Sequence, residues 1–120
     1  MKIDLQLLAK KAFEASKAKG FYDGPDAGNI PLKLALIHSE VSEALEELRK
    51  NPDLLHTYER ESDGKPEGFL FELADAVIRI LDLVGFIEFI DPERASLFED
   101  IVLQKMKFNE SRPTKHNKNF

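Results

Sequence analysis

The segment from Phe69 to Ile90 constrains the fold of this chain more than any other. Phe69, Leu70, Phe71, Leu73, Ala74, Ala76, Val77, Ile78, Ile80, Leu81, Leu83, Val84, Phe86 and Ile87 point in nearly every direction around a helix axis. Its polar residues Glu72, Asp75, Arg79 and Asp82 share one stripe about 80° wide at helical spacing. A helix apolar almost all round must be covered on most sides. The chain has 120 residues, which fits a single domain over 1–120 with few other elements to supply that cover. Burial by a second subunit is therefore expected. The polar stripe then opens to solvent through a slot or faces another acidic surface.

Three further helices are expected from apolar spacing and end signals. The first runs from an Asp4 cap to the Lys19-Gly20 stop, with Leu5, Leu8, Ala12 and Ala15 as its stripe. A turn-rich loop follows, and the second begins near Pro31, where proline suits a first turn, and stops at Asn51-Pro52. The stretch Asn51–Gly68 is polar and long for a compact domain, so it reads as a mobile lid or a disordered loop. The third helix spans about Glu67 to Ile90. Asp91-Pro92 reads as the cap and first turn of a fourth, ending near Asn109, and a polar basic tail closes the chain over 110–120. No segment alternates cleanly, so strands are not expected. The fold class is all-α, a bundle of four helices.

Composition narrows the function. A net charge of −5 argues against nucleic acid, whose sequence-independent binding needs surplus Lys and Arg. Without cysteine, disulfides and thiolate metal sites are excluded, and a reducing cytoplasm is the simplest location. Lysines interrupt the apolar runs of the N-terminal stretch, so it is no signal peptide, and no run is long enough for a membrane span. An acidic protein can still bind a polyphosphate when a divalent cation lies between them.

The acids suggest where. On the second helix Leu34, Ile37, Val41, Ala44, Leu45 and Leu48 form an arc about 100° wide, expected to be a core stripe. Glu40, Glu43 and Glu47 occupy the adjoining arc and so border that core. Residues three apart on a helix share a face, so Glu40 with Glu43, and Glu72 with Asp75, each present two carboxylates side by side. Facing one another, these pairs make a cluster whose burial needs protonation or a cation. Oxygen-only ligation suits Mg²⁺ or Mn²⁺. The bland alternative, solvated acidic faces, fits any single pair better than it fits two pairs on successive long helices. On the fourth helix Lys105 and Asn109 continue the stripe of Phe98, Ile101 and Val102, and Arg112 extends it. They either meet a phosphate or emerge into water at the helix end. His38 reads as a packed or partly exposed imidazole, His56 and His116 lack metal-ligand spacing, and Asp82 reads as structural.

The run Leu36-Ile37-His38-Ser39-Glu40-Val41-Ser42-Glu43, followed by Phe71-Glu72-Leu73-Ala74-Asp75, resembles the ExxE…ExxD signature of the MazG-like all-α nucleoside triphosphate pyrophosphohydrolases. Lys105-Met106-Lys107-Phe108-Asn109-Glu110-Ser111-Arg112 is similar to that family's KxxxNxxR segment, with Lys115-His116 beyond it. Gly28-Asn29-Ile30-Pro31 is similar to the lead-in to its metal helix. The resemblance covers about Phe21 to His116. It implies a MazG fold assembled as a homodimer or dimer of dimers, and Mg²⁺-dependent cleavage of a (d)NTP between its α and β phosphates.

By the same resemblance Glu40, Glu43, Glu72 and Asp75 match the metal ligands. Lys105, Asn109 and Arg112 match substrate-holding positions, and Asn29 and Arg79 are added as substrate contacts. The catalytic base is expected among Glu40, Glu43 and Glu47. One departure stands out: Ser39 occupies a position where many members carry a second glutamate, which opens the number of metals and the base. Two other readings remain: a phosphoribosyl-ATP pyrophosphohydrolase-like enzyme, and a catalytically silent helical dimer that binds nucleotide or regulates a partner.

Overall fold

The structure, a computed structural model, describes residues 4–113. Lys115 and His116, and most of the expected tail, lie outside the described residues. Four helices are present: α1 (Leu5–Ala18), α2 (Ile30–Lys50), α3 (Phe69–Ile90) and α4 (Phe98–Glu110). The all-α, four-helix expectation holds. Among the described residues no helix is long and apolar enough to cross a membrane.

Local chemistry sets the ends. Asp4 caps α1 by accepting from the Leu7 amide at 2.8 Å, and Gly20 turns the chain at φ +86°. Asn29 caps α2 with a 3.0 Å bond from the Leu32 amide, and Pro31 lies in the first turn. Asn29, expected to touch substrate, thus has its side-chain oxygen engaged by the helix it starts.

Two expectations are corrected. The stretch between α2 and α3 is not merely a polar loop: β1 (Thr57–Glu59) and β2 (Pro66–Gly68) form an antiparallel hairpin that pairs Tyr58 with Glu67. Glu67 therefore belongs to a strand, and α3 starts at Phe69. The turn is fixed by Arg60, whose amide donates to the Lys65 carbonyl at 2.8 Å and whose Nε donates to Asp63 at 2.9 Å. Gly64 supplies the positive φ that such a turn needs. The second correction concerns α4, which begins at Phe98 and not at Asp91-Pro92. Residues 91–97 form turns in which Asp91 binds the Arg94 amide and guanidinium instead of capping a helix.

α3 is the central element. α1 packs along one side of it and α2 along another, while α4 touches α1 at few points. Gly85 lets α1 approach closely: a Cβ there would lie 2.5 Å from the Ala9 carbonyl oxygen and 2.6 Å from Phe13 Cβ. Phe13 packs edge-on to Tyr22 at 4.9 Å and tilted on Phe89 at 5.1 Å, and Tyr22 stacks on Phe86. Asp82 ties this seam together, accepting from the Ser16 and Tyr22 hydroxyls at 2.6 Å each. Its structural reading is borne out. Burial and the Asp82 carboxylate push the Tyr22 phenol well above its usual range.

The core stripe expected on α2 is corrected in part. Ala44 is buried and Ile37 and Leu48 are half-buried, but Leu34, Val41 and Leu45 are exposed. Glu40 and Glu47 of the acid-bearing arc are buried with Ala44, while Glu43 is exposed. On α3 Val77, Ile78 and Ile87 are likewise exposed, as are Ile101, Leu103, Met106 and Phe108 on α4. The radius of gyration is 17.1 Å, against roughly 13 Å for a compact chain of this size.

Candidate metal centre

α2 and α3 meet through their acids. Glu40, Glu43 and Glu72 each place a carboxylate oxygen within 4.8 Å of the others, close enough to share one metal ion. The i, i+3 relation of Glu40 and Glu43 supplies two of them from one helical face. Glu72 comes from the first turn of α3, just after Gly68, whose φ of +139° swings the chain from strand into helix. A Cβ at Gly68 would lie 2.4 Å from the His56 carbonyl oxygen, so glycine is needed where the hairpin meets the helix.

Glu72 is the most constrained of the three. It is 4 % exposed, and its Oε2 is buried without a hydrogen-bond partner. Burial raises its pKa to about 7, helped by a hydrogen bond with Glu43 and by the charges of Glu43 and Asp75, while Lys65 pulls the other way. A buried carboxylate with an orphaned oxygen beside a second carboxylate is poorly satisfied by the protein alone. A hard cation satisfies both groups, so the donor set fits a divalent metal.

Asp75 stands beside this trio and not within it: its charge acts on Glu72, and it lines the adjacent cleft. Glu40 is already partnered, accepting from Arg79 Nε at 2.7 Å. That ion pair joins α2 to α3 and places Arg79 against an acid of the other helix. Glu47 is buried away from the trio's wet side, and its oxygens lie 2.9 and 3.2 Å from the Tyr58 hydroxyl. The same hydroxyl is 3.0 Å from Glu67. One phenolic proton serves only one carboxylate at a time, and both acids push the Tyr58 pKa upward. Glu47 therefore anchors the hairpin to α2.

Of the trio, Glu40 lines a cleft of about 870 Å³ between α1, α2, α3 and the loop after α1, while Glu43 and Glu72 lie outside its lining. Glu40, Asp75, Arg79 and Lys65 line one part of it, and Phe21, Tyr22, Asp23 and Asp26 another. Lys105, Asn109 and Arg112 do not line it. All three are exposed on α4 or just past it, and Lys105 Nζ lies 5.3 Å from the Phe108 ring. Within one chain the structure thus brings together Glu40, Glu43 and Glu72, with Asp75 and Arg79 alongside, and leaves the α4 residues apart. Sequence reasoning missed Lys65 and Tyr58. The run Gly64-Lys65-Pro66-Glu67-Gly68, with a glycine at each end, was the available hairpin signal. Compared with known proteins, the chain matches no family model, no curated protein and no solved structure.

Proposed function

We propose that this chain is a metal-dependent nucleoside triphosphate pyrophosphohydrolase, with Mg²⁺ as its cation. The observation that carries the reading is the convergence of Glu40, Glu43 and Glu72, with an orphaned buried oxygen on Glu72 and with Glu40 reaching a cleft of about 870 Å³. The resemblance of the ExxE and ExxD segments to the MazG-like enzymes points the same way.

In this reading Glu40, Glu43 and Glu72 hold the cation, and Asp75 completes its surroundings. A divalent ion held there would supply positive charge to phosphate oxygens and make a nearby water more acidic. Attack by a water oxygen on the α-phosphorus would break its bond to the α–β bridging oxygen, giving nucleoside monophosphate and pyrophosphate, with the water's proton passing to Glu40 or Glu43 as base. Arg79 steadies Glu40 and offers its remaining N–H groups to phosphate. Glu47 acts through Tyr58 as a positioning residue for the hairpin, not as the base.

The chain acts as a homo-oligomer in this proposal. Exposed Leu34, Val41 and Leu45 on α2, and Met106 and Phe108 on α4, form more apolar surface than a monomer ordinarily leaves in water. A second copy covers it and gives Lys105, Asn109 and Arg112 a route to a neighbouring cleft.

Pyrophosphate and monophosphate released from a panel of dNTPs with Mg²⁺ test the reaction. Equal yields of both are expected, with a loss of at least about 100-fold in kcat/KM for Glu72→Gln. Orthophosphate as the main product, or a Glu72→Gln variant as active as wild type, contradicts the assignment. A silent nucleotide-binding module is the second reading, favoured by the Arg79–Glu40 ion pair that already occupies one ligand oxygen. It predicts nucleotide binding with no pyrophosphate.

A further inference from the structure

A polyphosphate brings several negative charges to a site that already holds clustered acids, so cations beyond a metal must line the cleft. Four basic side chains do: Lys19, Lys33, Lys65 and Arg79. Lys33 Nζ lies 4.1 Å over the Tyr22 ring, and Arg79 is bonded to Glu40. Lys19 stands at the C-cap of α1, a helix that carries none of the clustered acids. Lys65, like Lys19 and Lys33, makes no ion pair within 4.0 Å among the described residues. What sets it apart is that it lines the cleft with Glu40 and Asp75 while its charge reaches Glu72.

The backbone beneath Lys65 is held on every side. Its carbonyl accepts from the Arg60 amide at 2.8 Å, and its own amide donates to Asp63, which Arg60 also grips. The Arg60 guanidinium keeps the Asp63 carboxyl well below the usual carboxylate range. Tyr58, on the paired strand, bonds Glu47 of α2, one helical turn beyond Glu43. A rigid turn anchored to the metal helix, carrying an unpaired ammonium into the cleft, is preorganised for an anion.

We propose that the β1–β2 hairpin is the polyphosphate-binding arm of this site and that Lys65 is its phosphate-binding residue, beside the cation held by Glu40, Glu43 and Glu72. The inference rests on the acid cluster being a cation site, but not on hydrolysis. It assigns to the segment between α2 and α3 a role that the family resemblance placed on α4.

Calorimetric titration of the full chain with inorganic tripolyphosphate in the presence of Mg²⁺ reads this subsite without a base or a turnover. Lys65→Met should weaken binding at least tenfold, Lys65→Arg should recover much of it, and Lys10→Met on exposed α1 should leave it within twofold. Melting temperatures should agree among all four proteins, because the Lys65 ammonium has no structural partner. Binding by Lys65→Met within twofold of wild type overturns the inference, as does a wild-type protein with no Mg²⁺-dependent binding. If Lys65-dependent binding is seen but no dNTP yields pyrophosphate, the hydrolase reading fails and this inference stands. If pyrophosphate is released and Lys65→Met leaves KM unchanged, this inference alone fails.

Discussion

The α2–α3 seam and α4 treat their polar residues in opposite ways. In the seam Glu40, Glu47 and Glu72 are buried while Glu43 is exposed; Glu40 is tied to Arg79 and Glu47 to Tyr58, and Glu72 keeps a buried oxygen without a partner. On α4 no residue is buried, and Lys105 and Asn109 stand in solvent beside exposed Met106 and Phe108. Burying a carboxylate is expensive, so a fold that does it three times across one seam has committed that seam to a charged partner. Exposed lysine and asparagine cost nothing and commit α4 to nothing within one chain. The acid trio that could hold a metal is therefore assembled within one copy, whereas under the proposed function the α4 residues need a second.

The largest expected effect separates these halves directly. Met106→Glu with Phe108→Glu should break the oligomer, read by light scattering, and lower turnover about tenfold or more while Mg²⁺ binding persists. Loss of metal binding in that variant would break the distinction between the two regions. Unchanged assembly would move the interface to the exposed apolar arc of α2.

A smaller effect comes from pH. Glu72 has a folded pKa of about 7 against an ordinary 4.5, so between those values the folded protein holds a proton that the unfolded chain has released. Stability from this group is fully present below pH 4.5 and is lost as pH rises through 7. After discounting for solvent screening, the metal-free protein should melt about 3–5 °C higher at pH 5 than at pH 8, other groups aside. Glu72→Gln should remove that difference, and saturating Mg²⁺ should flatten it. A difference that survives in Glu72→Gln assigns it to another group.

The sequence revealed the helices and the paired acids because both depend on local spacing. The position of Glu40 and Glu43 on one face, and of Glu72 and Asp75 on another, follows from 3.6 residues per turn alone. Less legible was which face turns inward. The arc of Leu34, Val41, Ala44 and Leu45 looks like a core because apolar residues usually are, yet of these the chain buries only Ala44 and buries Glu40 and Glu47 beside it. That inversion depends on tertiary partners: Arg79 from α3 and Tyr58 from the hairpin supply the compensation that periodicity cannot show. The hairpin itself was hidden because each strand is only three residues long, too short for alternation to register. The later start of α4 was missed for a related reason, since Asp91 and Arg94 pair locally as a turn and not as a cap.

Manganese offers the most direct test of the central claim, that Glu40, Glu43 and Glu72 converge to hold one hard cation. Its free aquo ion gives an electron paramagnetic resonance signal that is quenched on binding. Wild-type protein should remove that signal in a saturable way, and Mg²⁺ should restore it by competition. A Glu43→Gln/Glu72→Gln double variant, shown by circular dichroism to keep its helices, should leave the signal intact. Equal quenching by the two proteins would contradict the account.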